Sequence, residues 1–189
     1  MVVVRQSISF LYLLQHESSM DDTLTLPELN LPPHPLQLRR MPDGNVQVYD
    51  PLRLKWIILT PEEHVRQRFV AYLTSSLGYP AGMMANEVSL RLNGTSKRCD
   101  TVLFDRSRRP LAIIEYKAPS IPITQAVFEQ IVRYNMVLRA SYLMVSNGLK
   151  HYCCHVAYTP PKVTFLTEIP AYAVITGSPQ DTAVTPDRD

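Results

Sequence analysis

The chain has 189 residues, a formal net charge of +2 and a hydrophobic fraction of 46%. That is enough apolar content for one packed domain with tails, and too little charge imbalance for a generally basic nucleic-acid coat, so any basic footprint has to be local. Its three cysteines, Cys99, Cys153 and Cys154, include an adjacent pair and no CxxC, which argues against a disulfide framework and for a reducing, cytoplasmic location.

The apolar stretch Met1 to Leu14 carries Arg5 and is too short and interrupted to span a bilayer. Without a distinct cleavage site it reads as an N-terminal extension. Residues 20–43 contain Pro27, Pro32, Pro33, Pro35 and Pro42 and are expected to wrap the surface as an extended arm. Residues 1–43 are therefore set apart from a domain over 44–173. Within it, Asn45 to Asp50 and Leu54 to Leu59 alternate well enough for a hairpin turned at Asp50-Pro51. Thr60-Pro61-Glu62-Glu63 opens a helix running to about Ser76: a capping threonine, a first-turn proline and a capping-box glutamate. Val65, Phe69, Tyr72 and Leu73 are its apolar stripe. A strand at about Asn86 to Leu92 ends in an Asn93-Gly94 turn.

Two apolar strands follow, Arg98 to Phe104 and Pro110 to Tyr116, joined by the basic turn Arg106-Ser107-Arg108-Arg109. Ile123 to Leu138 has helical spacing of Val127, Ile131, Tyr134 and Leu138. Ser141 to Ser146, His151 to Ala157 and Lys162 to Leu166 complete the strands, and 174–189 is expected to be a disordered tail. A helix, three strands, a helix and further strands make an α/β fold with a mixed central sheet flanked by helices.

The chemistry concentrates in the two strands around the basic turn. Asp100 lies in the first. Glu115 and Lys117, two residues apart, lie on one face at the end of the second. Burying three ionisable groups in a sheet is costly unless they pair or hold a metal. Phosphodiester hydrolysis needs an activated water and neutralised phosphate charge, and carboxylates holding Mg²⁺ or Mn²⁺ provide both. Asp100, Glu115 and the Tyr116 carbonyl are the candidate ligands, with Lys117 orienting water or stabilising negative charge.

An Asp in one strand followed by Glu-x-Lys at the end of the next resembles the core motif of the PD-(D/E)XK nuclease superfamily. Gln130-Ile131-Val132-Arg133-Tyr134 resembles the Gln-x-x-x-Tyr of many members, and four-residue spacing puts Gln130 and Tyr134 on one helical face. By the same resemblance Glu63 is the candidate upstream acid at the metal site, with Glu87 a weaker one. From about Leu59 to Tyr152 the chain is similar to the N-terminal nuclease domain of type I restriction enzyme R subunits, especially small stand-alone relatives. The residues that carry this are Thr60 to Gln67, Arg98-Cys99-Asp100, Glu115 to Pro119, Gln130 to Asn135 and Ser146-Asn147-Gly148.

The resemblance implies a restriction-endonuclease-like fold and a Mg²⁺- or Mn²⁺-dependent DNA nuclease, with RNA as a further possible substrate. Cys99 stands where the motif's name has Pro. There is no GxxxxGK[ST] loop, so a separate motor or specificity subunit would be a partner. No membrane partner is expected, and no dimer face is legible.

Simpler alternatives stand beside these assignments. The fold without catalysis would make a nucleic-acid-binding or assembly module. Glu115 and Lys117 are also readable as a solvated strand end, Glu63 as the capping partner of Thr60, and Tyr134 as a core ring. Arg98, Arg106, Arg108 and Arg109 are either a phosphate-contacting rim or a solvated turn, and Arg66 and Arg133 are equally ambiguous. His151, Cys153 and His155 share a strand face, but their spacing is not that of a usual zinc site.

Overall fold

Apolar residues in strand and helical periodicities settle into a layered structure, described by a computed structural model for residues 26–92 and 94–177. The expectations for residues 1–19, for Asn93 in its turn and for 178–189 in the tail fall outside the described residues. In chain order the elements are β1 (Leu38–Arg40), β2 (Val46–Asp50), β3 (Lys55–Ile58), α1 (Pro61–Ser76), β4 (Met84–Leu92), β5 (Thr95–Phe104), β6 (Pro110–Tyr116), α2 (Gln125–Leu138), β7 (Tyr142–Ser146), β8 (His151–Tyr158), β9 (Pro161–Leu166) and α3 (Tyr172–Thr176). A 3₁₀ turn at Ala81–Met83 leads into β4.

Strands β4 to β9 form one mixed sheet in sequence order. Every neighbouring pair is antiparallel except β6 and β7, which run parallel. A parallel pair cannot be joined by a tight turn, and α2 supplies the crossover. The fold is thus the mixed α/β arrangement expected. The hairpin β2–β3 stays out of this sheet and forms a three-stranded antiparallel sheet with β1.

Each face of the main sheet has its own core. Val65, Phe69 and Leu73 of α1 pack with Ala112, Ile114 and Tyr116 of β6 on one side. Val127, Ile131 and Tyr134 of α2 pack with Ile113, Leu143 and Val145 on the other. Alternation along β6 makes this division, because its successive side chains point to opposite faces. The cap of α1 forms as its sequence implies: Thr60 Oγ1 accepts the Glu63 N–H at 3.1 Å. The reciprocal half of the capping box does not form, because the Glu63 carboxylate turns to Arg53 and Gln67 instead.

Two segments depart from expectation. The described part of the proline-rich arm, residues 26–43, is mostly exposed, as an extended surface arm should be, but it is not independent of the core. Leu29 and Leu31 are buried in the α1-side core, and β1 pairs with β2. The Asn30 N–H donates to the Gly148 carbonyl at 2.8 Å. Gly148 has φ +81°, and a Cβ there would stand 2.6 Å from Leu29 Cδ2, so only glycine permits this approach. At the other end, order continues past residue 173: α3 buries Ile175 in the core, and the Tyr172 N–H donates to the Leu77 carbonyl at 2.9 Å. Replacing Leu29 by Ala should cost about 2–3 kcal/mol in urea unfolding. A loss below about 0.5 kcal/mol, typical of surface positions, would mean that the arm contributes no core.

Candidate active site

The carboxyl end of β6 lies beside the middle of β5, with α2 across one face and the first turns of α1 nearby. Glu115 follows Ile113 on the α2 side, so its carboxylate enters the protein and is almost fully buried. Its Oε1 accepts from Lys117 Nζ at 2.7 Å and from Gln130 Nε2 at 2.6 Å. Gln130 Nε2 also donates to the Tyr134 hydroxyl at 3.2 Å. The strand period joins Glu115 to Lys117, and the helical period joins Gln130 to Tyr134. Glu115 Oε2 is buried and has no hydrogen-bond partner among the described residues.

Asp100 reaches the same place from β5. Its Oδ2 accepts the Tyr116 N–H at 2.8 Å, which ties it to the strand that carries Glu115. Its Oδ1 faces Arg66 Nη2 at 3.3 Å. Burial raises the pKa of Asp100, and Arg66, the Tyr116 N–H and Lys117 only partly offset this. Burial and the Asp100 charge push Glu115 up to about 7 against the pull of Lys117. Burial works against the charged form of Lys117, but its bond to Glu115 and the charges of Glu115, Asp100 and Glu62 outweigh that and raise its pKa. The pairing with Glu115 favours the ammonium form of Lys117.

Glu63, the expected upstream acid, is placed elsewhere. Its Oε1 accepts from Arg53 Nη2 at 3.1 Å and Gln67 Nε2 at 2.8 Å, and its Oε2 is 3.6 Å from Arg66 Nε. Its neighbour Glu62 shares a field with Asp100, Glu115 and Lys117, and its pKa is raised by burial and then by Asp100. Sequence reasoning took Glu62 only as part of a helix start. The missed signal was the run of polar residues on one side of α1, Glu62, Glu63, Arg66 and Gln67, where a surface helix needs none buried.

Also missed was a network that clamps α1 and the β2–β3 turn to the sheet. Asp50 is wholly buried and accepts from the backbone N–H groups of Leu52 (2.8 Å) and Arg53 (3.1 Å), the Arg53 side chain and Asn86 Nδ2 (2.9 Å). Asn86 Oδ1 in turn accepts from Thr101 Oγ1 at 2.6 Å. Arg66 pairs with Glu87, which also accepts from Arg98 Nε at 2.6 Å. Glu87 adopts φ +59°, an uncommon conformation for a residue with a Cβ, in the middle of β4.

The basic turn does not rim the site. Thr101 pairs with Ile114 and Phe104 with Pro110, so residues 105–109 close the far end of the hairpin. At about 3.4 Å per residue, even Asp105 is about 17 Å along the strand from Asp100. Asp105 seals the turn by accepting the N–H groups of Ser107 and Arg109 and pairing with the Arg109 side chain. Arg133 is exposed on α2, whereas Arg98 stands two residues from Asp100. Zinc is not favoured at β8, because His151 engages Ser146 Oγ through Nδ1 and the Asn30 carbonyl through Nε2, each at 2.8 Å.

Among the described residues no group of three or more His, Cys, Asp or Glu side chains gathers to hold a metal. The donor set is two carboxylates, Asp100 and Glu115, with the Tyr116 carbonyl. It suits Mg²⁺, an oxygen-seeking ion that keeps several of its waters, and the unpartnered Glu115 oxygen fits such an ion. Without a divalent ion the raised Glu115 pKa has a signed consequence. The folded state holds a proton that the unfolded chain releases between its ordinary value of 4.5 and about 7, so stability falls as pH rises through that window. In chelator, Glu115→Gln should melt above wild type at pH 8, with the difference vanishing near pH 4. An equal difference at both pH values would refute the raised pKa.

No curated protein matches the chain. Among solved structures it is similar to a fragment described as an HsdR subunit of a type I restriction enzyme from Vibrio vulnificus, at 19% identity and a TM-score of 0.48. That alignment covers 64% of this chain and 25% of the other, so this chain spans about a quarter of its length. No helix among the described residues is long and apolar enough to cross a membrane. The family described as "Type I restriction enzyme R protein N terminus" matches residues 61–170, from the first residue of α1 past the end of β9 and through every side chain of the candidate site. That match takes in more than half of the chain, and the protein belongs to this family.

Proposed function

We propose that the domain is a divalent-metal-dependent nuclease that hydrolyses phosphodiester bonds in DNA. The observation that carries this reading is the buried Glu115 carboxylate, with one oxygen bound by Lys117 and Gln130 and the other unpartnered, beside the partly buried acid Asp100. The Asp100 charge acts on the desolvated Glu115, which is unfavourable unless a proton or a cation offsets it. Asp100, Glu115 and the Tyr116 carbonyl would hold Mg²⁺ or Mn²⁺. Such an ion supplies Lewis-acid charge and lowers the pKa of a bound water.

The chain's own residues do the rest. The Tyr116 N–H fixes one Asp100 oxygen, which leaves the other to face the site. Gln130, steadied by Tyr134, sets the rotamer of Glu115. Lys117 stays protonated, and its ammonium is a fixed positive charge for the negative charge that grows on a phosphate under attack. Glu62 adds negative field and is not counted among the ligands. The family relation supports restriction-type DNA as the substrate, a cytoplasmic setting, and separate motor or specificity subunits as partners.

With Mn²⁺ or Mg²⁺, the wild-type chain should nick plasmid or degrade linear DNA, and Lys117→Ala should lower the rate about 10²–10³-fold, the usual loss of one charge-stabilising donor. If both proteins leave the same trace of cleavage, the activity is a contaminant and the proposal fails. Calorimetric titration should show Mn²⁺ binding to wild type that Glu115→Ala abolishes. The same assay with RNA in place of DNA decides the substrate class.

A further inference from the structure

Among the described residues, Arg66 is the side chain that reaches Asp100 Oδ1, and its surroundings explain why it stays there. It rises from the second turn of α1 and is almost wholly buried. Its Nη1 is held by Glu87 and its Nη2 lies 3.3 Å from Asp100 Oδ1. Its Nε, 3.6 Å from Glu63 Oε2, makes no hydrogen bond among the described residues. Its guanidinium carbon stands 5.5 Å from the centre of the Tyr116 ring. The other Asp100 oxygen is committed to the Tyr116 N–H. An ion ligated by Asp100 therefore draws on the same oxygen that faces the guanidinium.

We propose that Arg66 is a positioning residue that competes with the divalent ion for Asp100 Oδ1, and that Glu87 sets the strength of the competition by holding the guanidinium back. The inference rests on the metal site proposed above. Arg66 partners Asp100, and each step of its guanidinium toward Glu87 opens Oδ1 to the ion. Glu87 is built for this. Its φ of +59° departs from the strand at the residue facing Arg66, and Arg98 Nε anchors its second oxygen at 2.6 Å. The domain therefore trades metal affinity for a site that tolerates the buried Glu115 beside Asp100. A general effect of charge is separable from this competition, because Arg66 and Glu87 carry opposite charges and can be neutralised together.

The test is calorimetric titration of the full chain with Mn²⁺ alone. Wild type, Glu115→Ala, Arg66→Gln and the double variant Arg66→Gln/Glu87→Gln are compared, each checked by circular dichroism. The double variant keeps the net charge and replaces the ion pair by two amides able to bond to each other, so it keeps the fold testable if the single variant does not fold. The expected result is Mn²⁺ binding about tenfold tighter than wild type in the double variant, equivalent to about 1.4 kcal/mol. A folded Arg66→Gln should bind at least as tightly as the double variant. Equal or weaker binding by the double variant overturns the competition while leaving the metal site standing. Wild type without Glu115-dependent Mn²⁺ binding overturns both the competition and the metal site. A merely structural Arg66 would lower melting temperature in the variants with no gain in Mn²⁺ affinity.

Discussion

The desolvation of Glu115 is the constraint on which the rest of the site depends. A carboxylate at the end of β6 is carried under α2 by the alternation of the strand, and the same alternation brings Lys117 to its side. Lys117 and Gln130 satisfy one oxygen, and Asp100 on the adjacent strand adds a second negative charge. Glu115 would not be buried here beside Asp100 for stability alone, since an apolar pair of the same shape would serve the sheet better. The strain is local and directional: it favours a proton or a cation at one place.

The second constraint is what holds α1 against that place. A surface helix would present an apolar stripe and a solvated face. α1 buries both Val65, Phe69 and Leu73 and the polar Glu63, Arg66 and Gln67. The polar side is possible because Arg53, Asp50, Asn86 and Glu87 complete its bonds from the β2–β3 turn and from β4. The small three-stranded sheet, which looks peripheral in chain order, thereby helps to align the helix that carries Arg66. The proline-rich arm acts similarly on the opposite flank, where Leu29 closes over Gly148.

Much of the architecture was legible because its signals are local. The cap at Thr60, the two periodicities and the breaks at proline and glycine place α1, α2 and the six strands of the main sheet within a few residues. The pairing of Glu115 with Lys117 and of Gln130 with Tyr134 followed from period alone. The choice between Glu62 and Glu63 did not. Both open the same helix, and only the positions of Arg53 and Gln67 draw Glu63 away from the site. The arginine-rich turn stayed ambiguous for the same reason: charge is visible in a sequence, but the strand register that carries it to the far end of the hairpin is not.

By itself the amino-acid sequence determined the element types, the mixed α/β class and the pairings of Glu115 with Lys117 and of Gln130 with Tyr134, since the periodicities and pairings involve residues a few positions apart. Only the tertiary structure decided that the arm enters the core, that Arg53 and Gln67 hold the Glu63 carboxylate, and that Arg66 stands at Asp100. Those outcomes depend on which distant side chains compete for the same buried charge. That competition is settled by packing and desolvation, not by any pattern along the chain.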